Sequence, residues 1–303
     1  MRHAIALLTA AAALSFAPAA VAQNAADQIP PPQPITTTIG STPLVELSDG
    51  GGGLPYLGSS TSYNAGALTT VLAQYHDTGV YDREIAQIDA VAQQWIAKQG
   101  HERTVAAQPR ASKARTLARA AHKNGDGGKG HRHGGAKPRG GKPGDGHHGG
   151  GNWWNKKLAI VLDIDETALS NYSAIVADGF VYGPKSQAEA TDEIGVAIKP
   201  TLDLVNLARA RGIDVFFITG RPEAQRAVTA ENLTREGFTD YQGLDLKPAG
   251  FTGTTVAYKS GARAAIEQQG YRIVASVGDQ YSDLAGGHED RAFKLPNPFY
   301  FLP

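Results

Sequence analysis

The chain contains no cysteine and one methionine, and neither sign of charge is in excess: 29 Lys+Arg stand against 29 Asp+Glu in 303 residues. Without cysteine there is no disulfide scaffold, no thiolate metal site, no thiol nucleophile and no N-terminal lipoprotein anchor. Cancelling charges argue against a uniformly basic nucleic-acid binder. Long apolar runs are scarce as well. The one present lies at the start of the sequence, which excludes a multi-span membrane protein. What remains is a chain 41% apolar, enough to bury a core in one or two domains.

The early apolar run has the pattern of an export signal. Arg2 and His3 form a short basic region, Ala4 to Phe16 an Ala/Leu-rich stretch, and Ala20-Val21-Ala22 supply small residues before an expected cut at Gln23. An uncleaved anchor helix is the alternative, disfavoured by Pro18 and the Ala-x-Ala end. The expected compartment is therefore secreted or periplasmic, with no transmembrane segment left after cleavage of residues 1–22.

Residues 23–60 are rich in Pro, Gly, Ser and Thr and read as extended or irregular chain that buries little. Residues 61–109 turn helical: Val71, Leu72 and Tyr75, then Ile85, Ile88, Val91, Ala92 and Trp95 recur at three- and four-residue spacing. This predicts two helices broken near Thr78-Gly79, the second ending at Gly100. Residues 110–152 differ again. Positions 110 to 151 carry a net charge of +8, and 13 of the 28 residues from Asn124 to Gly151 are Gly, so no packed core can form there. Outside this arm the mature chain carries −9, and the neutral total therefore conceals a basic, disordered Gly/His/Lys-rich arm on an acidic body. Its His122, His131, His133, His147 and His148 admit a plain solubilising linker, weak contact with anionic envelope polymers, or metal capture. Flexible Gly spacing pre-organises nothing, which favours the linker.

From Trp153 apolar runs alternate with amphipathic stretches. Leu158 to Leu162, Val215 to Ile218 and Ile273 to Val277 have the length of buried strands. Helices are predicted at Pro200 to Arg211, Pro222 to Glu236 and Ser260 to Gln269, each closed by Gly. The implied fold class is α/β: a doubly wound, Rossmann-like parallel sheet over residues 153–303. In such a sheet, ligands bind beyond the carboxyl ends of the strands. Those ends carry Asp163-Ile164-Asp165-Glu166-Thr167, then Thr219-Gly220-Arg221-Pro222, then Gly278-Asp279 with Asp283 four residues on; Lys259 lies between, just before a predicted helix.

This set suits phosphoryl transfer through a phospho-aspartate. One carboxylate attacks phosphorus while ionised and a second protonates the leaving alkoxide, so their pKa values must be pushed apart. Oxygen ligands without Cys or His suit Mg²⁺ rather than Zn²⁺. The Thr219 hydroxyl, backbone N–H groups and the Lys259 ammonium would hold the equatorial oxygens.

Asp163-x-Asp165-x-Thr167, Thr219, Lys259 and Gly278-Asp279-x-x-x-Asp283 resemble the four motifs of the haloacid dehalogenase (HAD) superfamily. The longer string Val161 to Tyr172, VLDIDETALSNY, resembles its acid phosphatase branch, which includes bacterial class B-type enzymes and plant vegetative storage proteins. Tyr75-His76-Asp77 to Trp95 is similar to the helical preamble of that branch. The resemblance implies a Mg²⁺-dependent acid phosphatase acting on small phosphomonoesters or nucleotides; the signal pattern makes it an exported one, and the cancelling charges leave no specific nucleic-acid binding to expect. Carried over, Asp163 is the nucleophile, Asp165 the general acid and base, and Thr219, Gly220, Arg221 and Lys259 meet the phosphate. Mg²⁺ is then held by Asp163, the Asp165 carbonyl and Asp279, with Asp283 a ligand, a water-mediated contact or an orienter of Lys259.

Taken alone, several of these residues have blander readings. Glu166 reads as a first-turn helix residue, Lys259 as a solvated helix-start lysine, and Arg221 equally as a phosphate binder or an exposed residue before Pro222. His76 and His288 read as structural or exposed. Residues 172–199 occupy the place where the superfamily inserts a cap; this one is small and implies an open pocket. Two other activities stay open: a non-catalytic envelope-binding or storage protein on the same fold, and a phosphotransferase using the same aspartates.

Overall fold

A computed structural model of the chain describes residues 32–48, 65–107, 156–180 and 195–302, with backbone only for 65–67 and 100–107. The expected signal peptide, the basic arm and the middle of the expected cap lie outside the described residues. The elements below belong to the unit Gln33–Pro303.

In the described residues, seven strands form one sheet ordered β1 (Pro34–Ile39), β2 (Thr42–Leu47), β9 (Ala292–Lys294), β8 (Tyr271–Gly278), β3 (Lys157–Leu162), β6 (Asp214–Pro222) and β7 (Gly243–Lys247). Side by side in it lie β8, β3 and β6, all parallel. Their apolar runs are those expected from the sequence. Alternate side chains of these strands enter two different cores, as period-two geometry requires. Leu158, Ile160, Leu162, Val215 and Phe217 face the helices α2 (Val80–Ala107) and α4 (Lys199–Ala210). Ala159, Val161, Phe216, Ile218 and Ile273 face α6 (Thr255–Gln268). Helices on both faces make the sheet doubly wound.

The preamble packs on this core. Helix α1 (Ala65–Asp77) ends at Thr78-Gly79 as expected, with Gly79 at φ +73°, a left-handed turn that glycine adopts without steric cost. In α2, Tyr81, Ile85, Ile88, Ala92 and Ile96 form the buried stripe. The Trp95 indole N–H donates to the Val274 carbonyl at 2.7 Å. The helix does not stop at Gly100 but runs to Ala107. A lone glycine costs a helix only about 1 kcal/mol, and good helix formers flank it on both sides.

Three further expectations need correction. Residues 23–60 are not uniformly irregular: β1 (Pro34–Ile39) and β2 (Thr42–Leu47) form an antiparallel hairpin, and β2 extends the sheet by pairing in parallel with β9 (Ala292–Lys294). Leu44, Val45 and Leu47 are buried, so a short apolar cluster prevails over the Pro/Gly-rich composition around it. Pro222 ends β6 rather than starting a helix. A 3₁₀ turn, Glu223–Gln225, follows, and α5 spans Arg226–Arg235. Finally, α6 begins at Thr255, capped by the Thr254 hydroxyl, which accepts from the Ala257 N–H at 3.1 Å; Lys259 therefore sits inside the helix. Strand β7 (Gly243–Lys247) at the other sheet edge was too short to stand out. Within the cap region, α3 (Tyr172–Ala177) and a two-residue pairing of β4 (Leu169–Ser170) with β5 (Val196–Ala197) are described.

Asp89 is buried where α2 meets α4 and accepts a hydrogen bond from the Thr201 hydroxyl at 3.0 Å. Burial pushes its pKa up to about 7, the hydroxyl opposing. Below about pH 4 folded and unfolded chains both carry this proton; as pH rises toward 7 only the folded chain keeps it, and stability falls across that window. Asp89→Asn is therefore expected to stabilise the protein by about 2–4 kcal/mol at pH 8 and by little at pH 4. Denaturant melts at the two pH values check this; an equal effect at both would contradict it.

Candidate active site

Strands β8, β3 and β6 lie side by side and parallel, so their carboxyl ends bring the separate polar motifs to one edge. Leu162 pairs with both Phe217 and Val277, which places Asp163 level with the end of β8 and one residue short of Thr219 in β6. The Asp163 N–H donates to the Val277 carbonyl at 3.0 Å and fixes the start of the loop.

Four charged side chains meet there. The Lys259 ammonium bonds to Asp163 and, at 2.6 Å, to Asp283. All three residues are buried. Burial works against the charged form of Lys259, but the Asp163 and Asp283 carboxylates overcome it and hold the ammonium above its ordinary range. Burial pushes the Asp163 carboxyl well up; Lys259 opposes this, and the carboxylates of Asp283, Asp279 and Asp165 add to it. Asp279 rises to about 6 through burial and the neighbouring Asp283, while Asn297, Lys294 and Gln280 oppose the rise.

Asp283 arrives through a tight local fold. Helix α7 (Tyr281–Leu284) opens with a capping box in which the Gln280 N–H donates to Asp283 Oδ2 at 2.8 Å. A Cβ on Gly278 would lie 2.5 Å from that of Asp283, so the glycine is required for the carboxylate to fold back over the strand end. Asp279 accepts from Thr167 Oγ1 at 3.1 Å and from Gln280 Nε2 and Asn297 Nδ2 at 2.7 Å each.

Oxygens of Asp163, Asp279 and Asp283 lie within 4.8 Å of one another and could hold a metal ion. Asp163 and Asp283 share the Lys259 ammonium, Asp279 forms no ion pair with it, and the donor set is all hard oxygen, which fits a small divalent cation. Buried Lys294 adds positive charge but turns its ammonium to the Leu295 carbonyl at 2.8 Å.

Asp165 stands apart from this triad. Arg221 grips it from Nη2 at 2.7 Å and from Nε at 3.1 and 3.2 Å, and Asn171 Nδ2 donates to it at 2.9 Å. Burial resists ionisation, but the Arg221 charge and these hydrogen bonds prevail and hold Asp165 below its ordinary range. The two aspartates of the first motif are thus driven in opposite directions. Arg221 is only 3% exposed, which overturns the reading of an exposed residue before Pro222. A register irregularity between Thr219 and Pro222 makes room for Gly220 and Arg221 at the strand end. Thr219 is buried, and its hydroxyl accepts the Arg221 N–H at 3.1 Å; Gly220 is exposed at the rim.

Glu166 is not a helix residue. It is buried at φ +53°, a region sparsely populated by side-chain-bearing residues, and accepts from the Asn171 N–H at 2.6 Å and from the Tyr300 hydroxyl. Burial first, then the Asp165 charge, raises its pKa to about 8. His76 stacks on Tyr172 with ring centroids 3.3 Å apart, and His288 pairs with Glu267 at the surface. Separate from the carboxylates is a cleft of about 770 Å³ between α2 and the start of α4.

Sequence reasoning missed several supports. Arg263 stands one turn beyond Lys259 on α6 and donates to the carbonyls of Asp283, Ala285 and Gly287, fixing the loop that carries the acidic pair. Its i,i+4 spacing from Lys259 was the available signal. Asn297 and Tyr300 lie in a segment without periodicity, where no pattern marks them.

The sequence model of the HAD superfamily, subfamily IIIB (Acid phosphatase), matches residues 145–303, just over half the chain. The chain belongs to this family. Over 152 residues it is 38% identical to acid phosphatase 1 of Solanum lycopersicum, covering 47% of this chain and 58% of that protein. Over 150 residues it is 35% identical to vegetative storage protein 1 of Arabidopsis thaliana, covering 47% and 55%. The match thus spans little more than half the length of these curated relatives. The crystal structure of a class C acid phosphatase from Bacillus anthracis with tungstate bound superposes with a TM-score of 0.49 at 18% identity, covering 78% of this chain and 86% of that one. Membership in subfamily IIIB agrees with the resemblance carried by the four motifs. Among the described residues no helix is long and apolar enough to cross a membrane.

If the triad takes a divalent cation, adding MgCl₂ to about 100 times its dissociation constant stabilises the fold by about 2.7 kcal/mol. Thermal melts with and without MgCl₂ read this directly. The shift is expected to vanish in Asp279→Asn, and an undiminished shift in that variant would contradict the assignment.

Proposed function

We propose that this chain is an exported, Mg²⁺-dependent acid phosphatase that hydrolyses small phosphomonoesters or nucleotides through a phospho-aspartate at Asp163. The observation that carries this reading is the opposite treatment of Asp163 and Asp165: Asp163 lies against Lys259 in the acidic cluster, whereas Asp165 lies outside it under Arg221. One aspartate is placed to attack and the other to move protons. In the chain alone the pKa of Asp163 is raised and that of Asp165 lowered, the reverse of what the two roles need in the first step; a cation beside Asp163, and a phosphate drawing Arg221 off Asp165, would each push the other way.

In the first step an Asp163 oxygen forms a bond to phosphorus as the P–O bond to the leaving group breaks, and Asp165 delivers a proton to the departing oxygen. In the second, water attacks phosphorus, Asp165 takes its proton, the bond to Asp163 breaks and orthophosphate leaves. Lys259 steadies Asp163 and the phosphoryl oxygens, and the Thr219 hydroxyl and the exposed Gly220 backbone offer further contacts. With Arg221 on it Asp165 is ionised, the form that deprotonates water. An acidic medium and a phosphate competing for Arg221 both favour the protonated form needed first. Mg²⁺ would be held by Asp163, Asp279 and Asp283, with the Asp165 carbonyl, and supplies charge neutralisation for the approach of a phosphate anion.

Relatives named as storage proteins keep a non-catalytic reading in view. The presence of both Asp163, buried against Lys259, and Asp165, partly buried under Arg221, favours the enzyme. A phosphotransferase would use the same first step with an alcohol in place of water. The arm at 110–152 is read as a solubilising linker, with weak contact with anionic envelope polymers as the alternative that its charge allows.

The mature protein with MgCl₂ is expected to hydrolyse para-nitrophenyl phosphate at acidic pH. Chelator should remove the activity, and Asp163→Asn should lower kcat by about 10³-fold or more while keeping the fold. Activity retained in folded Asp163→Asn would overturn the mechanism, and inactivity of the folded, Mg²⁺-supplied protein would favour the storage reading.

A further inference from the structure

We propose that Glu166, Asn171 and Tyr300 form a strut that sets the position of Asp165, so that the segment Asn297–Leu302 takes part in leaving-group protonation. The inference rests on Asp165 being the general acid.

Glu166 sits in a left-handed backbone conformation with no glycine to relieve it, and such conformations persist where the surroundings over-determine them. Its N–H donates to the Leu169 carbonyl at 2.8 Å, which closes the loop Asp165–Leu169 on itself. Its carboxyl then turns inward and takes two donors from opposite sides. One is the Asn171 backbone N–H at 2.6 Å; the other is the Tyr300 hydroxyl, from a distant part of the chain. The Asn171 side-chain amide in turn reaches Asp165 at 2.9 Å. The Asn171 side-chain oxygen is buried and finds no hydrogen-bond partner among the described residues, so nothing on that side fixes the amide. Its aim depends on the backbone that Glu166 holds. The carboxyl of Asp165 is thus steered from one flank by Arg221 and from the other by a chain of contacts ending at Tyr300.

Tyr300 is itself held. Asn297 bonds to Asp279, the Leu302 N–H donates to the Gln280 side chain at 3.1 Å, and the Ser282 hydroxyl donates to the Leu302 carbonyl at 3.2 Å. Phe299 packs at 5.0 Å from Tyr81 and 5.4 Å from Tyr172, between the preamble and the residue that follows Asn171. One short segment therefore braces both the metal-site loop and the first-motif loop. Glu166, Asn171 and Tyr300 act through Asp165 and are positioning residues.

The test uses the leaving group. A general acid matters most when the departing alkoxide is a strong base, and least when it is stable without a proton. The ratio of kcat/KM for para-nitrophenyl phosphate to that for ethyl phosphate is compared in the Mg²⁺-supplied wild-type chain, Glu166→Ala, Glu166→Gln and Tyr300→Phe, with thermal melts as the folding control. Misplacement of Asp165 is expected to cost about tenfold or more on ethyl phosphate and within about threefold on para-nitrophenyl phosphate in Glu166→Ala. Tyr300→Phe should move the ratio in the same direction by less, and Glu166→Gln, whose Oε1 can still accept from the Asn171 N–H while its Nε2 donates to the Tyr300 oxygen, should restore most of it. An equal loss on both substrates, or no change in ratio in folded Tyr300→Phe and Glu166→Ala, would overturn the strut and leave the phosphatase reading standing. A folded wild-type chain inactive on both would overturn that reading and the strut with it.

Discussion

The buried contact of Lys259 with Asp163 and Asp283 is the interaction on which the rest of the site depends. Taking an ammonium and several carboxylates out of water carries a large desolvation penalty, repaid only when the geometry is good and the remaining lone pairs are satisfied. The first motif, the start of α6 and the loop after β8 must therefore arrive together. Removal of the lysine alone would leave crowded carboxylates uncompensated, a penalty of about 3–5 kcal/mol by comparison with other broken buried pairs. The same crowding of carboxylates is what could hold a divalent cation there.

The scaffold meets this demand with few devices. Parallel order in β8, β3 and β6 brings three strand ends to one edge. The α6 helix presents Lys259 to the Asp283 side chain and, a turn later, Arg263 to the Asp283 carbonyl, so one rigid element sets both the charge and the backbone of the acidic loop. Helix α2 covers the opposite face of the sheet, and the segment around Phe299 joins it to the site. The preamble is part of the same core as the strands that carry the four motifs, although a long basic arm separates them in sequence.

Much of this was readable from the residues. Strands β8, β3 and β6, the break at Thr78-Gly79 and the convergence of Asp163, Asp165, Thr219, Lys259, Asp279 and Asp283 follow from runs of apolar residues with polar groups at their ends. Period and punctuation carry that information locally. Features decided by distant partners were not readable. Glu166 follows an acidic pair at a strand end, a setting that looks like a helix start, and only Tyr300 and Asn171 reveal its role. Arg221 could be a solvated residue until Asp165 is seen beside it. The hairpin β1–β2 was hidden by its Pro- and Gly-rich surroundings, because its stability comes from pairing with β9 across most of the chain's length.

The central claim is that phosphate passes through the Asp163 carboxyl. Its most direct test is to quench the Mg²⁺-supplied protein in acid within milliseconds of mixing with para-nitrophenyl phosphate, digest it, and locate any acyl phosphate by mass spectrometry. The account requires a phosphoryl group on the peptide containing Asp163, accumulating and decaying with turnover. Turnover without a covalent adduct, or an adduct on another residue, would contradict it.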